Sequence, residues 1–223
     1  MNFVVIGAGG VGCLYGAKLA QIGESVTLID VRADHIDAMQ EHGLRMDGES
    51  GEFSVSVQAA LVDPDSNPAG KHPAHAQSAD VALICVNGFS TDHAAQSANH
   101  WLKPDGYAVT LQNGLGNVEQ LQTQLGDARV VGGITFHAAN AHSPGAASHT
   151  IDGHTLIGEL THEITPRIQA LHETLERAGL SPVVESDIMA TIWAKFVHNC
   201  ALNGICALTD LRPGYIRNVP ELD

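Results

Sequence analysis

The chain has 223 residues, 44% hydrophobic and 16% charged, with 25 acidic against 11 basic side chains for a formal charge of −14. That length holds one large domain, or one domain and part of a second, and the composition excludes a disordered or fibrous protein. The acidic balance, with no basic run, excludes a nucleic-acid backbone as partner, since binding phosphates needs clustered Lys and Arg. Phe3 to Ile6 is a short, wholly apolar run rich in β-branched residues, as expected of a parallel strand covered on both faces. A glycine-rich turn follows from Gly7 to Gly12, then an amphipathic helix over Val11 to Ile22, stopped near Gly23. Val26 to Ile29 is the second buried strand, and Asp34 to His42 a helix ending at Gly43.

Leu44 to Val57 reads as a hairpin from its alternating pattern, and Asp63 to Ser78, with His72 and His75, as an exposed loop. Val81 to Val86 is a third buried strand, Asp92 to Trp101 a helix, Tyr107 to Leu111 a strand and Val118 to Leu125 a helix. Ile134 to Ala139 is extended, and a second hairpin is expected over Ala146 to Ile157 around Asp152-Gly153. Helices follow at Pro166 to Ala178 and Asp187 to Leu202. Alternating strands and helices predict an α/β fold with a Rossmann-type, doubly wound parallel sheet over residues 1–164, followed by the start of an all-helical second domain over 165–223.

No stretch approaches the ~20 apolar residues of a membrane span, and Met1-Asn2 lacks the basic start of a signal peptide. A soluble, cytoplasmic protein without membrane contacts is expected. Cys13, Cys85, Cys200 and Cys206 each sit among apolar residues and form no CxxC pair, so they read as small buried hydrophobes in a reducing compartment. The 13 histidines are scattered, with no HxxxH helix and no Cys/His cluster, so no metal site is expected.

Gly7-Ala8-Gly9-Gly10-Val11-Gly12 fits GxGxxG between a buried strand and a helix, and the second strand ends in an acid, Asp30. The first glycine makes the tight turn, the second lets the backbone approach a pyrophosphate, and the third lets helix and strand pack closely. The helix N-terminus then faces the negative charge. Asp30 suits the ribose hydroxyls of NAD(H), whereas Arg32 suits the 2′-phosphate of NADP(H), so both cofactors stay open with a slight lean to NAD(H).

The helix beginning at residue 188 is apolar almost all round, yet carries Lys195, Asn199 and Asn203 at i, i+4 and i+8. That spacing puts them on one side, within roughly 80° of arc. Burying an ammonium and two amides without partners is costly, so the stripe faces either solvent or a polar cavity. Such a lysine suits an anionic or carbonyl substrate, and could protonate an alkoxide if desolvation drew its pKa below ~10.4.

Four segments together resemble the 2-dehydropantoate 2-reductase (ketopantoate reductase) family: the Gly7 to Gly12 turn, Leu111 to Asn117, Gly133 to Ala139, and Trp193-Ala194-Lys195 with Asn199, Asn203, Ala207 and Leu208. The resemblance implies NADP(H)-linked reduction of 2-dehydropantoate to pantoate, towards pantothenate and coenzyme A. It implies Lys195 as general acid, Asn113 between cofactor and substrate, Asn199 and Asn203 as substrate ligands, and Ala139 as a backbone contact to the cofactor. Two departures stand out. Asn87 occupies a position where the family often has a lysine near the cofactor phosphate, and Gly204 stands where proline is usual. The family also continues in a longer helical domain, so the sequence is read as holding only its start. Subunit contacts in the family involve that portion, which leaves a homodimer open. The expectation is a 2-oxo acid reductase. A related NAD-linked hydroxy-acid dehydrogenase and a non-catalytic dinucleotide-binding protein stand as alternatives.

Overall fold

The computed structural model describes residues 1–63, 77–211 and 215. Strand β1 (Asn2–Ile6) is an interior strand of an eight-stranded sheet. It lies parallel between β2 (Ser25–Asp30) and β6 (Ala79–Ile84), with Val5 opposite Leu28 on one side and Leu83 on the other. β5 (Gln58–Leu61) extends the sheet beyond β2, while β7 (Leu102–Thr110) and β8 (Val130–Thr135) extend it beyond β6, all parallel. β11 (Thr155–Glu159) then joins β8 antiparallel, and β12 (Pro182–Val184) pairs with β11. The expected doubly wound sheet is present, with a reversed edge.

β1 is apolar throughout because both its faces are covered. Phe3 and Val5 join a core with helices α1 (Gly10–Gln21), α2 (Ala33–His42) and α5 (Pro166–Arg177). Val4 and Ile6 join the opposite core, with α3 (Thr91–Trp101), α4 (Asn117–Leu125) and the first turns of α6 (Ile188–Thr209). Trp101, Leu14, Leu28 and Ile84 are essentially inaccessible to solvent, and each such side chain contributes about 1.5–3 kcal/mol by burial.

A second sheet, in the order β4-β3-β10-β9, comprises β3 (Leu44–Gly48), β4 (Phe53–Val55), β9 (Ala138–Ser143) and β10 (Ala146–Ile151). It packs over α1, which is therefore sandwiched between two sheets rather than amphipathic: Cys13 to Ala17 and Leu19 are all buried. The β3–β4 hairpin forms where expected. The hairpin expected over 146–157 does not. β10 pairs with β9 and with β3, whereas β11 pairs with β8 and β12, so at Asp152-Gly153 the chain passes from one sheet to the other. Strand period alone carries no information about the partner.

The packing also continues past residue 164. α5 starts from a Thr165 cap with Pro166 in its first turn, and buries Ile168, Leu171 and Leu175 in the same core as β1. Arg167 forms an ion pair with the buried Glu159 of β11. Residues 166–184, placed by sequence in a second unit, are thus part of the first. Only Cys13 among the cysteines is buried, and Cys200 is exposed, contrary to expectation, because its helix face has no cover among the described residues. The loop expected over 63–78 lies almost wholly outside the described residues. No helix among them is long and apolar enough to cross a membrane.

Candidate active site

The strand order reverses at β1, and the crevice beside that switch point is where open α/β sheets bind ligands. A cavity of about 650 Å³ occupies it, at the carboxyl ends of β1, β2, β6 and β7. Gly7, Gly9, Gly10, Val11, Asp30, Arg32, Asn87, Asn113 and Ala139 all line it. Ala8 and Gly12, also expected in the cofactor turn, lie buried behind it.

The glycines differ in what they permit. Gly7 has φ +95°, and Gly9 has nothing near where a side chain would project. A methyl on Gly10 would overlap the Ala139 carbonyl of β9, so the second sheet leans directly on the turn. Gly9 caps α1 with no side-chain hydrogen bond, which leaves first-turn N–H groups free for an anion.

Asp30 supports this turn from β2. One carboxylate oxygen accepts the Ala8 N–H at 2.8 Å, and the other accepts from the Arg32 N–H at 3.0 Å and its Nε at 3.2 Å. Arg32 Nη2 also donates to the Ala8 carbonyl at 3.0 Å. The buried His35, which sequence reasoning passed over, reaches the same carbonyl through Nε2 at 2.9 Å and accepts the Gly145 N–H through Nδ1. It ties the turn to the second sheet.

Asn113 follows β7 and is exposed at the cavity. Behind it Gln112 Nε2 donates to the Val86 carbonyl and to Thr91 Oγ1, and Asn117 Nδ2 donates to the Asn113 carbonyl at 3.1 Å. Gln112 and Asn117 lie within the Leu111 to Asn117 segment, but nothing in the local sequence distinguishes them as supports of Asn113.

Lys195 stands apart from the cavity lining. Its Nζ donates to the Thr135 carbonyl at the end of β8 at 2.5 Å, and lies 4.8 Å from the centre of the Phe136 ring. Burial among these groups pulls its pKa down to about 8. Thr135 and Ala139 are four residues apart, so a single segment touches both the lysine and the cofactor cavity. Asn199 is half-buried and Asn203 exposed.

A helix as apolar as α6 is expected to be mostly buried, and it is not. Only Ile188 and Ile192 are buried, while Trp193, Val197 and Leu208 are 54%, 62% and 90% exposed. The outer face of the helix has no cover among the described residues. The histidines expected to be scattered also include a group, His137 and His149 with Asp152.

Residues 3–162 match the family description "Ketopantoate reductase PanE/ApbA", and residues 187–223 match its C-terminal part. The chain belongs to the ketopantoate reductase family. That makes it an NAD(P)-dependent oxidoreductase by descent. It is 34% identical over 218 residues to 2-dehydropantoate 2-reductase of Pyrococcus horikoshii, a match covering 98% of this chain and 67% of the relative. Two solved ketopantoate reductases share the fold. The 2-dehydropantoate 2-reductase of Geobacter metallireducens gives a TM-score of 0.81 at 29% identity, covering 94% of this chain and 66% of that one. The family member from Ralstonia eutropha gives 0.83 at 30%, covering 100% and 69%. The chain thus spans about two thirds of the length of these relatives.

Proposed function

We propose that this chain reduces 2-dehydropantoate to pantoate with a nicotinamide dinucleotide, Lys195 serving as general acid. The observation that carries this reading is a half-buried lysine with a pKa near 8, fixed to the segment that also lines the dinucleotide cavity. The cavity suits such a cofactor by its size, by the open approach over Gly9, and by the carboxylate of Asp30 beneath the turn. When bound, the dinucleotide supplies a hydride. The N–H groups opening α1 would hold its pyrophosphate, and Asp30 its ribose hydroxyls.

Lys195 then performs two tasks. Its positive charge attracts the 2-oxo acid, and its proton moves to the ketone oxygen as charge develops there. A pKa near the working pH serves both capture and release of that proton. Asn199 and Asn203, one and two turns further along α6, supply amide hydrogen bonds to the substrate, and Asn113 bridges cofactor and substrate.

NAD(H) is the favoured cofactor within this reading. Arg32 is engaged with Asp30 and the Ala8 carbonyl, Asn87 brings no charge to the cavity, and Asp30 would repel a 2′-phosphate. Mixing the chain with 2-dehydropantoate and following nicotinamide absorbance, with NADH and NADPH in parallel, tests both points. Turnover that Lys195→Ala abolishes, faster with NADH, is expected. Nucleotide binding without turnover would sink the catalytic reading and leave a binding protein.

A further inference from the structure

The chain crosses between its two sheets at residues 136–137 and again at 152–154, and at these crossings three side chains meet. His137 Nδ1 and His149 Nε2 lie 3.2 Å apart, and Asp152 Oδ1 is 3.4 Å from His137 Nδ1. The imidazoles are buried, whereas Asp152 is exposed on its turn.

The hydrogen bonds fix the tautomer of His137. His137 Nε2 lies 3.1 Å from the Leu180 carbonyl, which can only accept, so Nε2 carries the proton and Nδ1 presents a lone pair. That lone pair accepts from His149 Nε2 and faces the Asp152 carboxylate oxygen, an electron-rich arrangement in which a cation can replace the shared proton. The Gly153 N–H, 3.1 Å from Nδ1, offsets only part of the repulsion. His149 has its outer nitrogen 2.7 Å from Ser50 Oγ, so a proton can sit there and leave Nε2 free. An imidazole whose far N–H is held by a carbonyl or hydroxyl oxygen is the arrangement metal-bound histidines adopt.

We infer that His137, His149 and Asp152 form a binding site for a divalent transition metal such as zinc, with the exposed side of Asp152 as the entry. Two metal–nitrogen bonds of about 2.0–2.1 Å at a tetrahedral angle separate the nitrogens by about 3.3 Å, close to the spacing found; the three ligand atoms lie within 4.8 Å of one another, and the exposed Asp152 carboxylate turns inward to complete the set. Two imidazoles and one carboxylate favour zinc, cobalt or nickel over magnesium or calcium. The fourth position belongs to water. On binding, the proton between the rings moves to His149 Nδ1 and is donated to Ser50, so no net proton release is required. The site fastens the Phe136 to Ala139 segment, which touches Lys195 on one side and Gly10 on the other, so occupancy stiffens the seat of the phosphate turn.

Cobalt(II) titration of the untagged, chelator-treated chain tests this through the visible absorption of low-coordinate cobalt. Saturation at one equivalent is expected, with a Tm raised by several degrees at excess metal. Asp152→Asn, on an exposed turn, keeps the fold and weakens binding at least tenfold, and His149→Gln removes it. The other histidines supply a background, so an unchanged cobalt spectrum in Asp152→Asn overturns the proposal. So does the lack of any saturable one-equivalent binding in the parent chain. Neither result bears on the reductase reading, which rests on Lys195.

Discussion

Lys195 and Thr135 are joined by a 2.5 Å hydrogen bond from the ammonium to a main-chain carbonyl, linking α6 to the end of β8. The ring of Phe136 lies on the same ammonium. An ammonium is thereby attached to the strand whose following segment lines the cavity beside β1.

The pKa of Lys195 near 8 gives a pH dependence with a defined sign. In the proposed role the protonated form is the acid, so kcat/KM is expected to be flat below pH 8 and to fall about tenfold per unit above it. Lys195→Ala lowers kcat/KM by about 10²–10⁴-fold at pH 7. A pH–rate profile with 2-dehydropantoate checks both, and a rate that rises through pH 8 would assign the lysine the opposite role.

Lys195 also bears on stability. Its folded pKa lies below its unfolded value, so the charged form is disfavoured by folding and stability rises with pH between about 8 and 10.5. Lys195→Met therefore abolishes turnover while leaving Tm at pH 7 equal to or above that of the parent, as thermal unfolding would show.

Gly9 and Gly10 separate fold from ligand. Gly9→Ala meets no protein atom, so Tm stays within about a degree while nucleotide affinity drops at least tenfold, because the methyl stands where the pyrophosphate approaches. Gly10→Ala drives a methyl into the Ala139 carbonyl and costs about 1–3 kcal/mol of stability as well. Calorimetry with NADH on both variants distinguishes the two effects.

Glu159 and Arg167 are the fastening of α5 to β11, with Arg167 Nε 2.7 Å from the carboxylate and Thr165 Oγ1 also donating to it. Burial opposes the charge, yet the hydrogen bonds from Arg167 and Thr165 hold the Glu159 pKa below its ordinary value. The pair's contribution is therefore complete above pH about 4.5 and is lost as pH falls through the lowered pKa. Arg167→Ala leaves a buried carboxylate unpaired and destabilises by about 3 kcal/mol at pH 7, with a smaller deficit in acid. Denaturant unfolding at two pH values measures this.

Asp30 is expected to set cofactor choice. Asp30→Ala removes the proposed ribose acceptor and its bond to Arg32 Nε, so NADH affinity is expected to fall about tenfold and NADPH affinity to rise. Parallel affinities for the two nucleotides decide it.

Much of the candidate cofactor site's geometry was legible because its determinants are local. The β1–turn–α1–β2 unit is one continuous stretch whose periodicity and glycines specify its geometry, and Asp30 falls at the strand end by count. That Lys195, Asn199 and Asn203 share one helix was likewise legible from their spacing. The misreadings share another cause. β10 was paired with β11 because they are neighbours in sequence, but its partners are β3, about a hundred residues away, and β9. The support of Asn113 by Gln112 and Asn117, the use of His35, and the meeting of His137, His149 and Asp152 depend on the same long-range pairings.

The sequence by itself determined the Rossmann core, the phosphate turn and the lysine stripe, since each follows from φ/ψ preference and residue period along a short segment. Only the tertiary structure decided the second sheet over α1, the attachment of α5 and β12 to the first unit, the solvent-facing side of α6, and the lowered pKa of Lys195. Strand partners and desolvation depend on groups brought together across the whole chain, and no local pattern encodes them.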